Sequence, residues 1–348
     1  MEKSMTVAVD LAKDVFELAV ADERGRIVER QRLSRSQFAR FFENRGMCQV
    51  VMEACGSAHY WARLIREHGH RVRLLPPQYV RPYRRRNKTD RSDCEAILEA
   101  SRNREIREVP VKQVDQQVIQ GLHRVRAQWM ATRTNRINVL RGLLRELGIA
   151  IPLGATTAIR RVSGAIEALP ARLQPVVRAL LDEIRGLEER VAIIDTALRE
   201  HSRLDADARC LLQVSGIGVI TATAMAASVV DPRFFRNGRQ LASWVGLTPR
   251  EHSSGNHRHL GGISKRGDVY LRMLLTHGAR SVLNRAKQLH KAGKPLNRLQ
   301  RWVVELEQRR GHNKATCALA NKIARIAWAT WRYEREFDGN YVVNREAA

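Results

Sequence analysis

The sequence predicts a chain in three parts: an α/β region over residues 1–115, an elongated helical middle over 116–204, and a mainly α-helical region over 205–348. Short apolar runs alternate with helical patterns up to about residue 110. A heptad of apolar residues follows. Past Asp205 the text is apolar around a glycine turn, then glycine-rich and basic, and it closes on helical segments. A length of 348 residues accommodates two or three domains with buried cores.

In the first part, Met5 to Asp10 reads as a short buried strand and Val15 to Ala21 as a second. The turn Asp22-Glu-Arg-Gly25 leads to a third strand, Ile27 to Leu33, whose alternating polarity suggests a hairpin. Gln37 to Asn44 looks helical. Gln49 to Glu53 is another apolar strand, and Ala58 to His68 a helix stopped by Gly69. Arg71 to Leu75 is a strand ended by Pro76-Pro77. Thr89 to Ser101 reads as a helix with Thr89 or Asp90 near its cap.

In the middle, Leu122, Val125, Trp129, Ile137, Leu140, Leu144 and Leu147 recur at helical spacing. Leu173, Val177, Leu180, Ile184, Leu187, Val191, Ile194 and Leu198 step by four and three, a heptad seam. Gly148 to Pro170 reads as loop between them. Two antiparallel helices forming a coiled-coil arm fit this pattern; so does an ordinary bundle within one chain. In the third part, Gly216-Ile-Gly218 suggests two helices joined by a turn. That turn serves either to hold a phosphate with its N–H groups or simply to let the helices meet closely.

Charge narrows the function. The chain has 61 Lys and Arg against 36 Asp and Glu, a formal +25. Such an excess repels itself unless a polyanion offsets it, and nucleic acid is the natural partner. No apolar run approaches a membrane span and the N-terminus carries no signal pattern, so a cytoplasmic protein is expected. The five cysteines are scattered without a CxxC pair, which argues against a disulfide framework or a structural zinc site.

Four acids then stand out. Asp10 ends the first strand, Glu53 ends a later one, and Asp90 and Asp93 lie three apart on a helix and so project from one face. A metal-dependent nuclease of the ribonuclease-H type places its carboxylates this way. Oxygen-only ligands suit Mg²⁺ or Mn²⁺. Asp14 lies past the strand end, and Glu95, two residues from Asp93, points elsewhere; both rank lower. From Arg71 to Arg91 there are eight Lys or Arg and one acid, with Tyr79 and Tyr83 interleaved. Arg81, Arg84, Arg85, Arg86 and Lys88 are therefore candidate phosphate contacts feeding the acids, against the plainer reading of a solvated basic loop.

A second stretch runs from Gly246-Leu-Thr-Pro249 through Ser253-Ser254-Gly255 to Arg272. A serine beside glycine in a basic loop can approach a phosphodiester closely. Arg250, Lys265, Arg266 and Arg272 are candidates to hold its oxygens. His252, His257 and His259 are candidate proton carriers. A plain turn explains Ser-Ser-Gly equally well.

Taken in order, Val9-Asp10, Met52-Glu53-Ala54-Cys55-Gly56, Lys88-Thr89-Asp90-x-x-Asp93, Gly216-Ile-Gly218, Gly246-Leu-Thr-Pro249, Ser253-Ser-Gly255 and Ile263-Ser-Lys-Arg-Gly267-x-x-x-Leu-Arg272 resemble the DEDD transposases of bacterial insertion sequences. These are relatives of Piv-type DNA invertases and bridge-RNA-guided recombinases. The resemblance spans nearly the whole chain. It implies an N-terminal RuvC-like domain, a coiled-coil arm and a C-terminal transposase domain. It implies Mg²⁺ at Asp10, Glu53, Asp90 and Asp93, and Ser254 as a nucleophile that forms a phosphoserine link to DNA, with the Ser253–Ser254 doublet leaving the register open. A bridge RNA as guide and a homo-oligomer with an active site shared between subunits are implied in the same way. The alternative enzyme is a RuvC-like nuclease or resolvase in which water attacks and Ser254 is structural. A nucleic-acid scaffold with merely solvated acids is the non-enzymatic alternative.

Overall fold

The computed structural model describes residues 5–84 and 90–341; the side chains of Asp90 and Arg91 are outside that description. The chain forms two compact units, residues 1–114 and 115–348.

The first unit is a five-stranded sheet with helices on both faces. Its elements run β1 (Thr6–Asp10), β2 (Val15–Ala21), β3 (Ile27–Ser34), α1 (Arg35–Phe41), β4 (Gln49–Glu53), α2 (Ala58–Glu67), β5 (Arg71–Leu75), α3 (Pro77–Val80) and α4 (Asp90–Arg102). The sheet order is β3-β2-β1-β4-β5. β1, β2 and β3 form an antiparallel meander, while β4 and β5 join parallel to β1. The α/β prediction is met here. The helix expected at Gln37 to Asn44 starts earlier. Ser34 caps it, accepting from the Gln37 backbone while the Gln37 side chain returns to Ser34, so Gln37 is the third residue of the helix rather than its first. Thr89, the other expected cap of α4, lies outside the described residues.

Alternation along the strands sorts two cores. Val7, Val9, Leu18, Val50, Met52 and Leu74 face α1 and α2, where Phe38, Trp61 and Ile65 pack. Ala8, Ala21, Val51 and Leu75 face α4 through Ala96, Ile97 and Ala100. Three of the four sheet residues on this second face are alanine or valine, and two of the helix residues are alanine. α4 therefore lies close to the sheet.

The second unit begins with two long helices, α5 (Val114–Glu146) and α7 (Gln174–Leu204). Ile137, Leu140 and Leu144 pack with Val177, Leu181 and Ile184, while Ile119, near the start of α5, packs with Ile194 and Leu198, near the end of α7. The pair is thus antiparallel. The Arg126–Asp195, Arg133–Glu188 and Arg136–Glu183 ion pairs run along it in the same sense. The expected seam needs adjusting. Val125 and Leu147 are exposed, and Leu181 takes the buried place expected of Leu180. Gly148 to Pro170 is not plain loop: it carries α6 (Ala155–Ser163) and a 3₁₀ turn at Ile166–Ala168. Ala158, Val162, Ile166 and Leu169 are buried against α7, a four-four-three spacing visible in the sequence.

The rest of the unit comprises α8 (Ala206–Leu212), α9 (Val219–Val229), α10 (Gly238–Trp244), a hairpin of β6 (Pro249–Glu251) and β7 (Leu260–Ile263), α11 (Val269–Lys291), α12 (Arg298–Arg310) and α13 (His312–Tyr333). Leu271, Leu275 and Leu283 of α11 share one core with Val303 of α12 and Leu319, Ile323 and Trp328 of α13. Among the described residues no helix is long and apolar enough to cross a membrane.

The Gly216-Ile-Gly218 turn joins α8 to α9 and abuts α11. Gly216 has φ +91°, and a Cβ added to Gly278 would lie 1.9 Å from the Gly216 carbonyl oxygen. The left-handed backbone therefore accounts for the glycine at 216, and the close approach of this turn to α11 for the glycine at 278. Gly278→Ala is expected to destabilise the protein by about 1–3 kcal/mol through overpacking. Gly142, exposed on α5, has nothing within 4 Å of an added Cβ. Gly142→Ala is expected to raise stability by about 0.5–1 kcal/mol. Denaturant midpoints of the two variants check the opposite signs.

Candidate active site

Strand alternation places the acids. Asp10 shares the parity of Ala8, and Glu53 that of Val51, so both lie on the sheet face covered by α4. β1 and β4 are parallel neighbours, with Val9 opposite Met52, so the two acids end adjacent strands at the same level. Asp93 sits on α4, 5% exposed. Cys94 beside it donates to the Glu17 carbonyl oxygen at 3.1 Å, fixing this turn of α4 over β2. Burial pushes the Cys94 thiol pKa up, so it stays protonated. Glu17 stands directly across from Asp10 in the β1–β2 pairing and on the same face, an acid that strand pattern alone did not single out.

Glu53 and Asp93 meet at one cation. Arg84 Nη2 donates to Glu53 Oε2 at 2.7 Å, and its Nε lies 3.3 Å from Asp93 Oδ1. That second contact is an ion pair by distance without hydrogen-bond alignment. Arg84 Nε and Asp93 Oδ1 are both buried, and neither has a hydrogen-bond partner among the described residues. Among the described residues no three Asp, Glu, His or Cys side chains form a ready metal cluster. The structure thus draws Glu53 and Asp93 together and sets Asp10 on the same face; the Asp90 side chain lies outside the described residues. Of the two lower-ranked acids, Asp14 is exposed and Glu95 is held by Arg30 of β3 at 2.5 Å.

Of the basic loop, Arg81 is exposed at the end of α3, as are Tyr79 and Tyr83. Arg84 turns onto the carboxylates, a contact between residues 31 positions apart that the sequence did not announce. Arg85, Arg86 and Lys88 lie outside the described residues.

In the second unit Ser254 sits at the tip of the β6–β7 hairpin. Its backbone pairs in both directions with His257 across a tight turn, in which Gly255 has φ +54°. A residue with a side chain is strained at that φ, so Gly255 closes the turn. The two serines differ. Ser253 Oγ donates to Glu251 Oε1 at 2.8 Å and accepts from the His259 backbone at 3.2 Å. The Ser253 bond, with Arg258 nearby, holds the Glu251 carboxyl below its ordinary pKa. The Ser254 hydroxyl is exposed and makes no hydrogen bond among the described residues.

Arg250, Lys265 and Arg266 are exposed around this hairpin, and so are His252, His257 and His259. Arg272 is more constrained: its Nη1 donates to the carbonyls of Val245 and Arg266, at 2.8 and 3.1 Å. Those bonds tie the 264–268 loop to the end of α10. Gly267, φ +81°, lies where an added Cβ would be 1.7 Å from the Trp244 carbonyl oxygen.

Sequence reasoning also passed over His123, which is 97% buried on α5. Its ring nitrogens lie 3.1 Å from the Tyr270 hydroxyl and 3.0 Å from the Thr223 hydroxyl. Burial lowers its pKa to about 4, so it is neutral at neutral pH and joins α5, α9 and α11 through uncharged hydrogen bonds and ring contact with Tyr270. Its position in the buried stripe of α5 was the available signal.

The first unit thus sets carboxylates at the ends of adjacent parallel strands with Asp93 of α4 beside them, and the second carries an exposed basic hairpin bearing Ser254. Comparison with known proteins makes the class definite. Residues 7–149 match the DEDD transposase family of the IS110 type, and residues 208–294 match the transposase IS116/IS110/IS902 family. A probable family 20 transposase of Pseudomonas aeruginosa is 48% identical over 93% of this chain and 95% of that protein. The transposase for insertion sequence element IS1111A of Coxiella burnetii is 38% identical over 94% and 90%. The pilin gene-inverting protein of Moraxella bovis is 25% identical over 85% and 83%. The chain belongs to the IS116/IS110/IS902 family of insertion-sequence transposases, enzymes of DNA transposition. Membership of its DEDD branch implies dependence on a divalent metal ion.

Proposed function

We propose that this transposase exchanges DNA strands with two sets of residues: Asp10, Glu53, Asp90 and Asp93, which hold Mg²⁺ (or Mn²⁺), and Ser254, the nucleophile. The first unit is then a ribonuclease-H-type, RuvC-like domain, an assignment supported by its β3-β2-β1-β4-β5 order with β2 antiparallel. The α5–α7 pair within residues 116–204 is the coiled-coil arm, and 205–348 the transposase domain.

The observation that carries the metal assignment is the buried Oδ1 of Asp93, which accepts no hydrogen bond among the described residues and lies beside Glu53 on the face that also bears Asp10. An orphan carboxylate oxygen in an acidic site is suited to a hard cation. When bound, such an ion supplies charge neutralisation at the attacking and leaving oxygens of a phosphodiester. Asp10, Glu53 and Asp93 contribute fixed, oppositely charged anchors on rigid strands and a packed helix. Ser254 Oγ forms a bond to phosphorus as the bond to the leaving DNA oxygen breaks. The hydroxyl proton passes to solvent and the leaving oxygen takes one up, giving a phosphoserine and a free DNA hydroxyl. Arg250, Lys265 and Arg266 offset the charge that develops. A guide RNA from the element and a homo-oligomer complete the proposal, and the +25 charge accommodates both nucleic acids.

The competing reading, hydrolysis by water, draws on one observation: no group in the described residues accepts a hydrogen bond from Ser254 to activate it. Denaturing electrophoresis decides between them. Protein incubated with Mg²⁺, labelled element-junction DNA and the element's RNA is expected to yield a protease-sensitive covalent species. Cut DNA with no such species assigns hydrolysis.

The basic loop gives a separate expectation. Replacing Arg81, Arg85 and Arg86 together by alanine should weaken binding alike for all sequences. It should also reduce the slope of log affinity against log salt by about one for each phosphate no longer neutralised. An unchanged slope removes the loop from the interface.

A further inference from the structure

We propose that Arg84 is an exchangeable counter-ion of the carboxylate site: its guanidinium holds Glu53 and Asp93 when no metal is bound and gives them up when a divalent ion enters. This rests on the metal-site reading above and goes beyond it in assigning Arg84 a metal-free role on the acids. The arginine is then released to the phosphate side of the site.

The geometry of Arg84 differs from that of three partly buried arginines that brace this fold, Arg73, Arg126 and Arg133. Arg73, in the same unit, donates from Nε to Glu108 at 2.6 Å and from Nη1 to the Ser101 carbonyl at 2.9 Å. Arg126 meets Asp195 through both Nε and Nη2, and Arg133 meets Glu188 the same way. Each satisfies a fork of donors with fixed acceptors. Among the described residues Arg84 makes one aligned bond, to Glu53. Its Nε points into the site without an aligned acceptor, while the Asp93 oxygen 3.3 Å away is equally unsatisfied. The two atoms face each other as an ion pair but forgo an aligned hydrogen bond, which leaves this contact weaker than an aligned guanidinium–carboxylate pair.

The site nevertheless needs a cation. Glu53 and Asp93 are about four-fifths and nine-tenths buried at their side chains, and both would repel if left without one. A guanidinium supplies a single delocalised charge. A divalent ion supplies two in a smaller volume and accepts oxygen donors from several directions, so it competes well for the same atoms. Arg84 can leave cheaply for a second reason. It caps the 3₁₀ turn Arg81–Tyr83 in extended backbone, and its side chain is 31% exposed, so a rotamer change carries it outward without disturbing a core. Outward, it joins exposed Arg81 on a loop whose composition already suits phosphate.

The consequence is a measurable competition. Full-length protein without nucleic acid is titrated with Mn²⁺, with free Mn²⁺ followed by electron paramagnetic resonance. Wild type, Arg84→Gln, Arg84→Lys and Asp93→Asn are compared, each checked for fold by circular dichroism. Arg84→Gln is expected to bind Mn²⁺ about tenfold more tightly than wild type, because one competing charge is gone. Arg84→Lys keeps the charge and should stay within about threefold of wild type. Asp93→Asn should lose binding. The Mn²⁺-induced rise in melting temperature should follow the same order, and it remains readable if one variant is marginally folded. Equal or weaker Mn²⁺ binding in Arg84→Gln, with binding lost in Asp93→Asn, overturns the counter-ion proposal and leaves the metal site standing. Equal binding in wild type and Asp93→Asn removes the metal site itself, and the proposal with it.

Discussion

Replacing Ser254 by alanine is expected to abolish strand exchange and to remove the covalent protein–DNA species altogether. The hairpin supports this strong expectation. The tip turn is held by reciprocal backbone bonds between Ser254 and His257 and by the left-handed Gly255, none of which involves the Ser254 hydroxyl. The alanine variant should therefore keep its fold and its affinity for nucleic acid. Ser253→Ala makes the informative contrast. It deletes the bonds to Glu251 and to the His259 backbone, so it loosens the hairpin and should slow the reaction partially, through positioning. Denaturing gels of both variants separate the roles. Adduct retained in Ser254→Ala and absent in Ser253→Ala would move the nucleophile by one residue.

The second large effect concerns the acids. Asp10→Asn and Asp93→Asn each remove a charge from the α4 face of the sheet while keeping its shape. Cleavage is expected to fall at least about a hundredfold in each, since stabilisation of charge on the reacting oxygens by metal ions amounts to several kcal/mol. Nucleic-acid binding, carried by the basic surface, should change little. Gel-shift affinity measured beside cleavage checks both halves. Cleavage retained in both variants, or full activity in EDTA, would remove the site. Glu17, across from Asp10, invites the same substitution; an effect of similar size would enlarge the acid set.

β1, β2 and β4 were legible because each is a short apolar run buried on both faces, whereas β3 was legible from its alternating polarity. Val15–Ala21, Gln49–Glu53 and Arg71–Leu75 fall where the sequence put them. The positions of Asp10 and Glu53 followed, since strand ends fix them. The β6–β7 hairpin was not legible: its strands are three and four residues long, almost wholly exposed, and held by backbone bonds that leave no alternation to read. α6 was missed because glycines and prolines flank it and drew attention from its apolar spacing. The Arg84 contact joins a loop to a strand end and a helix, and no local pattern encodes such a meeting. His123 looked like one more polar residue until α9 and α11 closed over it.

The antiparallel pairing of α5 with α7 has a consequence for how the second unit handles force. Arg126, Arg133 and Arg136 meet Asp195, Glu188 and Glu183 in matched descending order. A slide of one helical turn would separate all three partners together and lift Ile137, Leu140 and Leu144 out of their sockets. Charge pairing and apolar packing therefore specify the same register of the two helices. With 33 residues in α5, the pair is a strut about 50 Å long that resists shear along its axis. A displacement at its far end is therefore expected to reach the His123 junction as movement of the helix pair as one body.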